Sequence, residues 1–565
     1  MNQEKRQCQN CKQEFVIEPE DFDFYEKMKV PAPTYCHDCK LQRRFLWRNE
    51  RNLYKRTCDL CHKDIVSLYR EDAPFPVYCN SCWYSDGWDA LAMGKEYDFN
   101  RDFFSQFQEL INAVPRPALI GTNNVNSPYI NYSINLKNCY LGLCASECED
   151  CGYIYRTFST KNSFDCFSVV ECELCAELTQ SAKCFQTSYS KFTENAVDSL
   201  LVNDCKNISN CFGSTGLRNK QNVIFNQQRP KEEFDKIRSE CGSYKKLQEY
   251  RQKAEELSLV FPRKYARLLH AINSIGEDLT NVKNCKNCFV IREGENLNYA
   301  YFGSNLKDGR DFNFADNSEL IYESANIEKN YMELFSLTSW FSHFITYCDH
   351  CFSSQNLFGC VGLRDKQYCI LNKQYTKEEY EKIVAQIIEK MTSDKEYGEF
   401  LPAKLSPFAY NETVAQEYFP LTKEEAIKQG YQWKDPEERG YKIDMLEENF
   451  PDDIRDADES IVNKIIGCAH KGTCNEQCTT AFKITSQELQ FYKKVNLPLP
   501  RLCPNCRHYQ RLTQRNPLKL WHRQCMCDKN HPHHTGKCTN EFETSYAPDR
   551  PEIVYCEQCY QQEVA

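Results

Sequence analysis

Along residues 121–229 and 275–374 the apolar positions follow neither strict alternation nor a 3.6-residue period. Short phrases such as Asn138-Cys-Tyr, Asp165-Cys-Phe, Lys183-Cys-Phe and Asp204-Cys return 18 to 27 residues apart, with polar stretches between them. Short strands wound as coils, with small and aromatic side chains stacked inside, fit that recurrence. Two β-solenoid-like blocks are therefore predicted over these ranges, with an irregular antiparallel β fold around the same interior as the alternative. Charged helices are expected near 231–257 and 377–392, each placed to cap an exposed coil edge. Residues 94–120 read as a helical linker, 230–274 as a helical segment, and 375–465 as helix mixed with polar linker. No stretch approaches the roughly 18 uninterrupted apolar residues of a membrane span.

Cysteine changes this picture: the chain has 35 in 565 residues. At that length several domains are expected. The start, MNQEKRQCQN, has no apolar signal core, and tight C-x-x-C pairs suit metal in a reducing compartment, so a cytoplasmic location is expected. The formal net charge is -10, which gives no global case for nucleic acid. Residues 466–565 nevertheless carry 13 Lys and Arg against 9 Asp and Glu, so the acid excess lies elsewhere and local basic patches remain.

The chain contains two internal duplications. Cys11-x24-Cys36-x2-Cys39 superimposes on Cys478-x24-Cys503-x2-Cys506. The match runs on through Phe24-Tyr25 and Phe491-Tyr492, Pro31 and Pro498, Arg44 and Arg511, and Arg48-Asn49 and Arg515-Asn516. Next, Cys61-x17-Cys79-x2-Cys82 matches Cys538-x17-Cys556-x2-Cys559. The middle repeats at an offset of 146: Lys137-Asn138-Cys139 returns as Lys283-Asn284-Cys285, Tyr153 and Tyr155 as Tyr299 and Tyr301, and Gly216-Leu217-Arg218 as Gly362-Leu363-Arg364. The order is A-B-B′-A′.

Two C-x-x-C pairs about 15 to 25 residues apart supply the four thiolates of tetrahedral zinc. Four structural zinc sites are expected. Cys8, Cys11, Cys36 and Cys39 form the first (module 1, 1–57), and Cys58, Cys61, Cys79 and Cys82 the second (module 2, 58–93). Cys474, Cys478, Cys503 and Cys506 form the third (module 3, 466–524). Cys538, Cys556 and Cys559 belong to the fourth (module 4, 525–565), completed by Cys525, Cys527, His533 or His534, with Cys525 matching Cys58 by position. The central C-x-x-C pairs read differently. At the 146-residue offset Cys148 meets Gly294, Cys151 meets Leu297, Cys172 meets Ser318, Cys175 meets Ile321 and Cys166 meets Phe312. A ligand does not become leucine in an equivalent site, so these are read as buried fillers.

Phe482-x-Ile484, a Thr485-Ser-Gln-Glu488 capping box leading to Phe491-Tyr492, Pro500, and Cys503-Pro-x-Cys506-Arg507 resemble a family of short zinc-binding treble-clef domains. The first module has Glu18-Pro19-Glu20 where that family has its capping box. The whole arrangement, closing with Tyr546-Ala-Pro-Asp-Arg-Pro-Glu and Cys556-Glu-x-Cys559-Tyr560, resembles a set of zinc-ribbon proteins from small-genome uncultured bacteria. Some members of that set carry an automatic coenzyme A transferase label, but no dinucleotide fingerprint or phosphate loop stands in this chain. The implied fold class is multidomain and mainly β with α: duplicated solenoid-like blocks between tandem treble-clef or zinc-ribbon modules.

Three functions follow from the residues. Lys40, Arg44, Arg48 and Arg56 after Cys39, and Arg507, Arg511, Arg515, Lys519 and Arg523 after Cys506, recur mostly in steps of four with aromatics between. On a helix they share a face, as a nucleic-acid contact (RNA above all) requires, although Pro517 interrupts the second run. A solvated basic face, or arginines paired with the acidic centre, explains the same pattern equally well. Protein–protein assembly is the second reading. A carbohydrate-acting β-solenoid enzyme is the third, but a Gly-Leu-Arg phrase occurring twice reads as a repeated turn rather than a catalytic site. Cys503-Pro-Asn-Cys506 also lacks the H-x-E partner of a deaminase. The expectation is a non-catalytic zinc scaffold with no membrane and no small-molecule cofactor.

Overall fold

A computed structural model describes residues 3–435 and 440–564. The fold is mixed α/β, with cysteine clusters toward both ends and one 13-stranded sheet in the middle. The irregular recurrence of these phrases resolves into one constant register. From Gly121↔Ser133 to Phe212↔Ile224, and again from Gly276↔Cys288 to Phe358↔Ile370, each residue of the ladder pairs in parallel with the residue 12 further on. The chain thus completes one coil every 12 residues. Pairing in the second block begins at Leu268↔Leu279, one 11-residue coil earlier than the sequence pattern reaches, and the register shifts between Ile275 and Gly276.

Within each coil the unit is a triplet. Lys161 pairs with Glu173, Asn162 takes a left-handed φ of 46°, and Ser163 points inward with none of its surface exposed. Two of the three N–H groups enter the ladders: Lys161 donates to the Cys172 carbonyl at 2.9 Å and Asn162 to that of Glu149 at 3.0 Å. Left-handed backbone is unfavourable for most side chains and least so for Asn and Asp. Stacked Asn residues at these corners bond from coil to coil, as in Asn195→Asn207→Asn219 at 2.9 Å each. Most inward positions are small or aliphatic. Cys148, Cys151, Cys166, Cys172 and Cys175 all sit there, at most 2% exposed.

Helices frame the two stacks. In module 1, α1 (Pro19–Met28) and α2 (His37–Phe45) follow the hairpin Glu4–Gln7/Glu14–Ile17. Glu18-Pro19 does start α1: proline at the first helical position needs no N–H partner, and the Glu18 N–H donates to Asp21 Oδ2 at 3.3 Å. Module 2 carries the hairpin Tyr54–Thr57/Asp64–Ser67 and α3 (Asn80–Trp83). The helix α4 (Phe103–Ala113) then packs Phe103 on Tyr347 and Phe358 of the second block. After the first block come α5 (Lys231–Glu240) and α6 (Tyr244–Leu259), and after the second α7 (Lys377–Ser393), α8 (Val414–Tyr418) and α9 (Lys423–Lys428). Module 3 holds α10 (Ser486–Val495), capped by Thr485, and α11 (Pro504–Leu512). Module 4 ends in α12 (Glu557–Glu563). Among the described residues no helix is long and apolar enough to cross a membrane.

Candidate metal centres and the basic helices

In each module the second cysteine pair caps a helix, so its thiols are fixed on the first helical turn beside a hairpin knuckle. Cys36 precedes α2, Cys79 α3, Cys503 α11 and Cys556 α12. All 35 cysteines are free thiols. Five sulfur pairs within the first three clusters lie 3.5–3.9 Å apart, among them Cys11 and Cys36 at 3.7 Å, Cys61 and Cys79 at 3.8 Å, and Cys503 and Cys506 at 3.5 Å. That is too far for a disulfide and close to the edge of about 3.8 Å of a tetrahedron with 2.3 Å metal–sulfur bonds. One N–H recurs in all four clusters, donating to the first sulfur at 3.2 Å: Cys36 to Cys8, Cys79 to Cys58, Cys503 to Cys468, and Cys556 to Cys525. Such donors favour thiolate over thiol. Burial opposes the ionisation of Cys58, yet the N–H groups of Cys61, Cys79 and Leu60 hold it down to about 6.

The clusters are Cys8/Cys11/Cys36/Cys39, Cys58/Cys61/Cys79/Cys82, Cys468/Cys478/Cys503/Cys506 and Cys525/Cys538/Cys556/Cys559. In the third, Cys468 occupies the place expected of Cys474. Its knuckle is Cys468-x9-Cys478 where module 1 has Cys8-x2-Cys11, so spacing alone selects the nearer cysteine. Cys474 lies within that long knuckle, its sulfur 3.7 Å from Cys506. In the fourth, Cys525 stands with Cys538, Cys556 and Cys559. Cys527, His531 and His534 gather around the same Cys559.

The basic residues are not on an open face. Lys40, Arg44, Arg48, Arg56, Arg507 and Arg511 are each at most 8% exposed. Lys40 and Arg44 lie on α2, where Lys40 pairs with Asp311 and Arg44 donates to Asn313 Oδ1 at 2.7 Å, 4.0 Å from Glu323. Arg507 and Arg511 lie on α11. Arg507 pairs with Asp165, and Arg511 reaches Asp165 and Glu177 at 3.0 Å each. Beyond the helix ends, Arg48 pairs with Glu50 and lies 3.8 Å from the Phe314 ring, while Arg515 stacks at 3.5 Å on Tyr418. Arg56 bonds Asp59 at 2.8 Å, Arg523 donates to the Tyr546 carbonyl at 3.2 Å, and Lys519 is exposed. Four of the nine, Lys40, Arg44, Arg507 and Arg511, thus face carboxylates of the central blocks, one of the explanations the sequence allowed. Burial works against ionisation of Asp311, but Lys40 and His37 hold its carboxyl well below the usual range. Burial pushes Glu488, beside Arg507, up to about 7.

These partners obey the duplication. Asp165 and Glu177 of the first block are the positions of Asp311 and Glu323 in the second, and Lys40 and Arg44 those of Arg507 and Arg511. Module 1 therefore docks on B′, and module 3 docks the same way on B. The second modules sit at the junctions: Val77–Tyr78 pairs with Arg116–Pro117 at the entry to B, and Val554–Tyr555 with Arg263–Lys264 at the entry to B′. The repeated Gly-Leu-Arg phrase serves these junctions too. Arg218 donates to the Tyr560 hydroxyl at 2.9 Å, and Arg364 to the Ser85 carbonyl at 3.3 Å, 5.2 Å from the Trp83 ring. Arg156 and Phe302 are equivalent positions of the two blocks and touch at 5.3 Å, as residues at a pseudo-twofold axis do. Comparison of the chain with known protein families and with curated proteins finds no match.

Proposed function

We propose that the protein is a non-catalytic zinc-binding scaffold: two β-solenoid blocks clamped crosswise by treble-clef modules 1 and 3 and zinc-ribbon modules 2 and 4. Its partner is a protein. Zinc is favoured as the metal because closed tetrathiolate sites are its usual structural setting and leave no open position for water. The observation that carries the reading is the burial of α2 and α11 against carboxylates of the opposite block. Cations already neutralised in this way offer little to phosphate, and the net charge of -10 opposes nucleic acid over the rest of the surface. Apolar side chains stacked one coil apart on the outside, Phe185 and Val197, are 39% and 42% exposed and suit a protein contact. Fluorescence anisotropy against single-stranded RNA, duplex RNA and duplex DNA over a salt series tests this choice of partner. No binding at low salt is expected; affinity falling with salt at about 0.7 to 0.9 log units per phosphate contact overturns it.

A further inference from the structure

The knuckle of module 4 is longer than its cluster requires. Module 2 builds the same tetrathiol with Cys58-x2-Cys61, whereas module 4 uses Cys525-x12-Cys538. The extra segment is folded, not trailing. Cys538 donates to the Cys527 carbonyl at 2.8 Å, His531 and His534 exchange backbone bonds at 3.0 and 3.1 Å, and the Gly536 N–H donates to Asn530 Oδ1 at 2.7 Å. This folding turns three donors toward a thiol already in use. His534 Nε2 lies 3.1 Å from Cys559 Sγ, His531 Nε2 lies 3.2 Å from Cys527 Sγ, and all four ligand atoms fall within 4.8 Å of one another. These contacts are near the nitrogen–sulfur edge of about 3.6 Å in a tetrahedral zinc site. The other ring nitrogen of His534 meets the Gly536 carbonyl at 2.9 Å, the outer contact that leaves Nε2 to a metal.

We infer that Cys527, His531, His534 and Cys559 hold a second zinc ion, with Cys559 bridging it to the ion of the Cys525/Cys538/Cys556/Cys559 cluster. Charge supports the pairing. Four thiolates around one Zn²⁺ leave a charge of −2, and adding Zn²⁺ with the Cys527 thiolate brings the pair to −1. Cys527 is fully buried and both imidazoles are part-exposed. With two neutral imidazoles in place of two thiolates and Cys559 shared, this ion is held less tightly than those in the tetrathiolate sites and exchanges faster. His533 is exposed, with its Nε2 3.3 Å from Cys559, and stands ready as a replacement donor.

The test uses the full chain, loaded with zinc and dialysed, beside the Cys527→Ser/His531→Ala/His534→Ala variant. Its fold should survive because module 2 does without these residues. Five zinc ions per wild-type chain and four per variant are expected, with a zinc–zinc distance of about 3.5–4 Å in the wild-type X-ray absorption spectrum that the variant loses. A chelator should also withdraw one equivalent from wild type ahead of the rest. Equal zinc content in the two proteins, or a wild-type spectrum with no zinc–zinc scattering, overturns the inference. Either result leaves the scaffold reading standing, since that reading rests on partner binding.

Discussion

At the inward position of each coil one N–H remains after the ladders are made, and it points at the inward residue of the coil before. Cys175 donates to Ser163 Oγ at 3.1 Å, Ser336 to Ser324 Oγ at 3.1 Å, and Cys348 to Ser336 Oγ at 2.9 Å. This is why the interior is Ser, Thr and Cys as well as aliphatic: a small side chain with a lone pair satisfies a buried donor that the backbone cannot. Ser336→Ala should cost about 1–3 kcal/mol, read from chemical denaturation, because the Cys348 N–H then has no acceptor. Ser336→Cys should recover much of that loss. Glu333 is a buried acid among the inward residues. Burial raises its carboxyl to about 7 while Asn330 and Ser339 bond one oxygen. A carboxyl whose folded pKa lies above its unfolded value stabilises fully below about pH 4.3, and that stabilisation is lost as the pH rises toward 7. Glu333→Gln should therefore raise stability at pH 8 by on the order of 3 kcal/mol, and the gain should shrink below pH 5; an equal effect at both pH values would refute this account.

At the scale of elements, the helix after each second cysteine pair is set by the knuckle that precedes it. Much of that was legible in sequence, because four-thiolate spacing is specific and the copies at the two ends confirm one another. The triplet of the coils was not. Its inward residues fall every third position, as in Cys166, Val169, Cys172, Cys175 and Leu178, a period belonging to neither a helix nor a flat strand. Cys468 was missed because a long knuckle hides its partner and Cys474 offers a nearer match. Cys468→Ser should lower metal affinity at that site at least tenfold, measured by competition with a chromophoric chelator, whereas Cys474→Ser should leave it unchanged. If the two effects were reversed, Cys474 would be the ligand.

Over the whole molecule, the mirrored order becomes a crosswise clamp: A rests on B′ and A′ on B. Sequence could not decide this, since a basic helix has the same spacing whether it faces water or a buried carboxylate, and a duplication does not say which copies touch. The clamp places Arg507 between Asp165 and Glu488, and removing one member of a buried pair leaves the others uncompensated. Arg507→Met should cost about 3–5 kcal/mol in thermal or chemical unfolding while the module keeps its metal. Release of metal with no change in unfolding would place Arg507 in the knuckle rather than in the clamp.

Zero-length carbodiimide cross-linking of the purified protein, followed by peptide mass spectrometry of the links formed within one chain, tests the crosswise arrangement most directly. Glu20 lies 2.7 Å from Lys286, Lys27 lies 3.3 Å from Asp308, and Lys264 lies 2.6 Å from Glu557, each joining a terminal module to the second block or its entry strand. Cross-links between Glu20 and Lys286 and between Lys27 and Asp308 are the predicted result. Linkage of the same Glu20 and Lys27 to residues of the first block instead would contradict it.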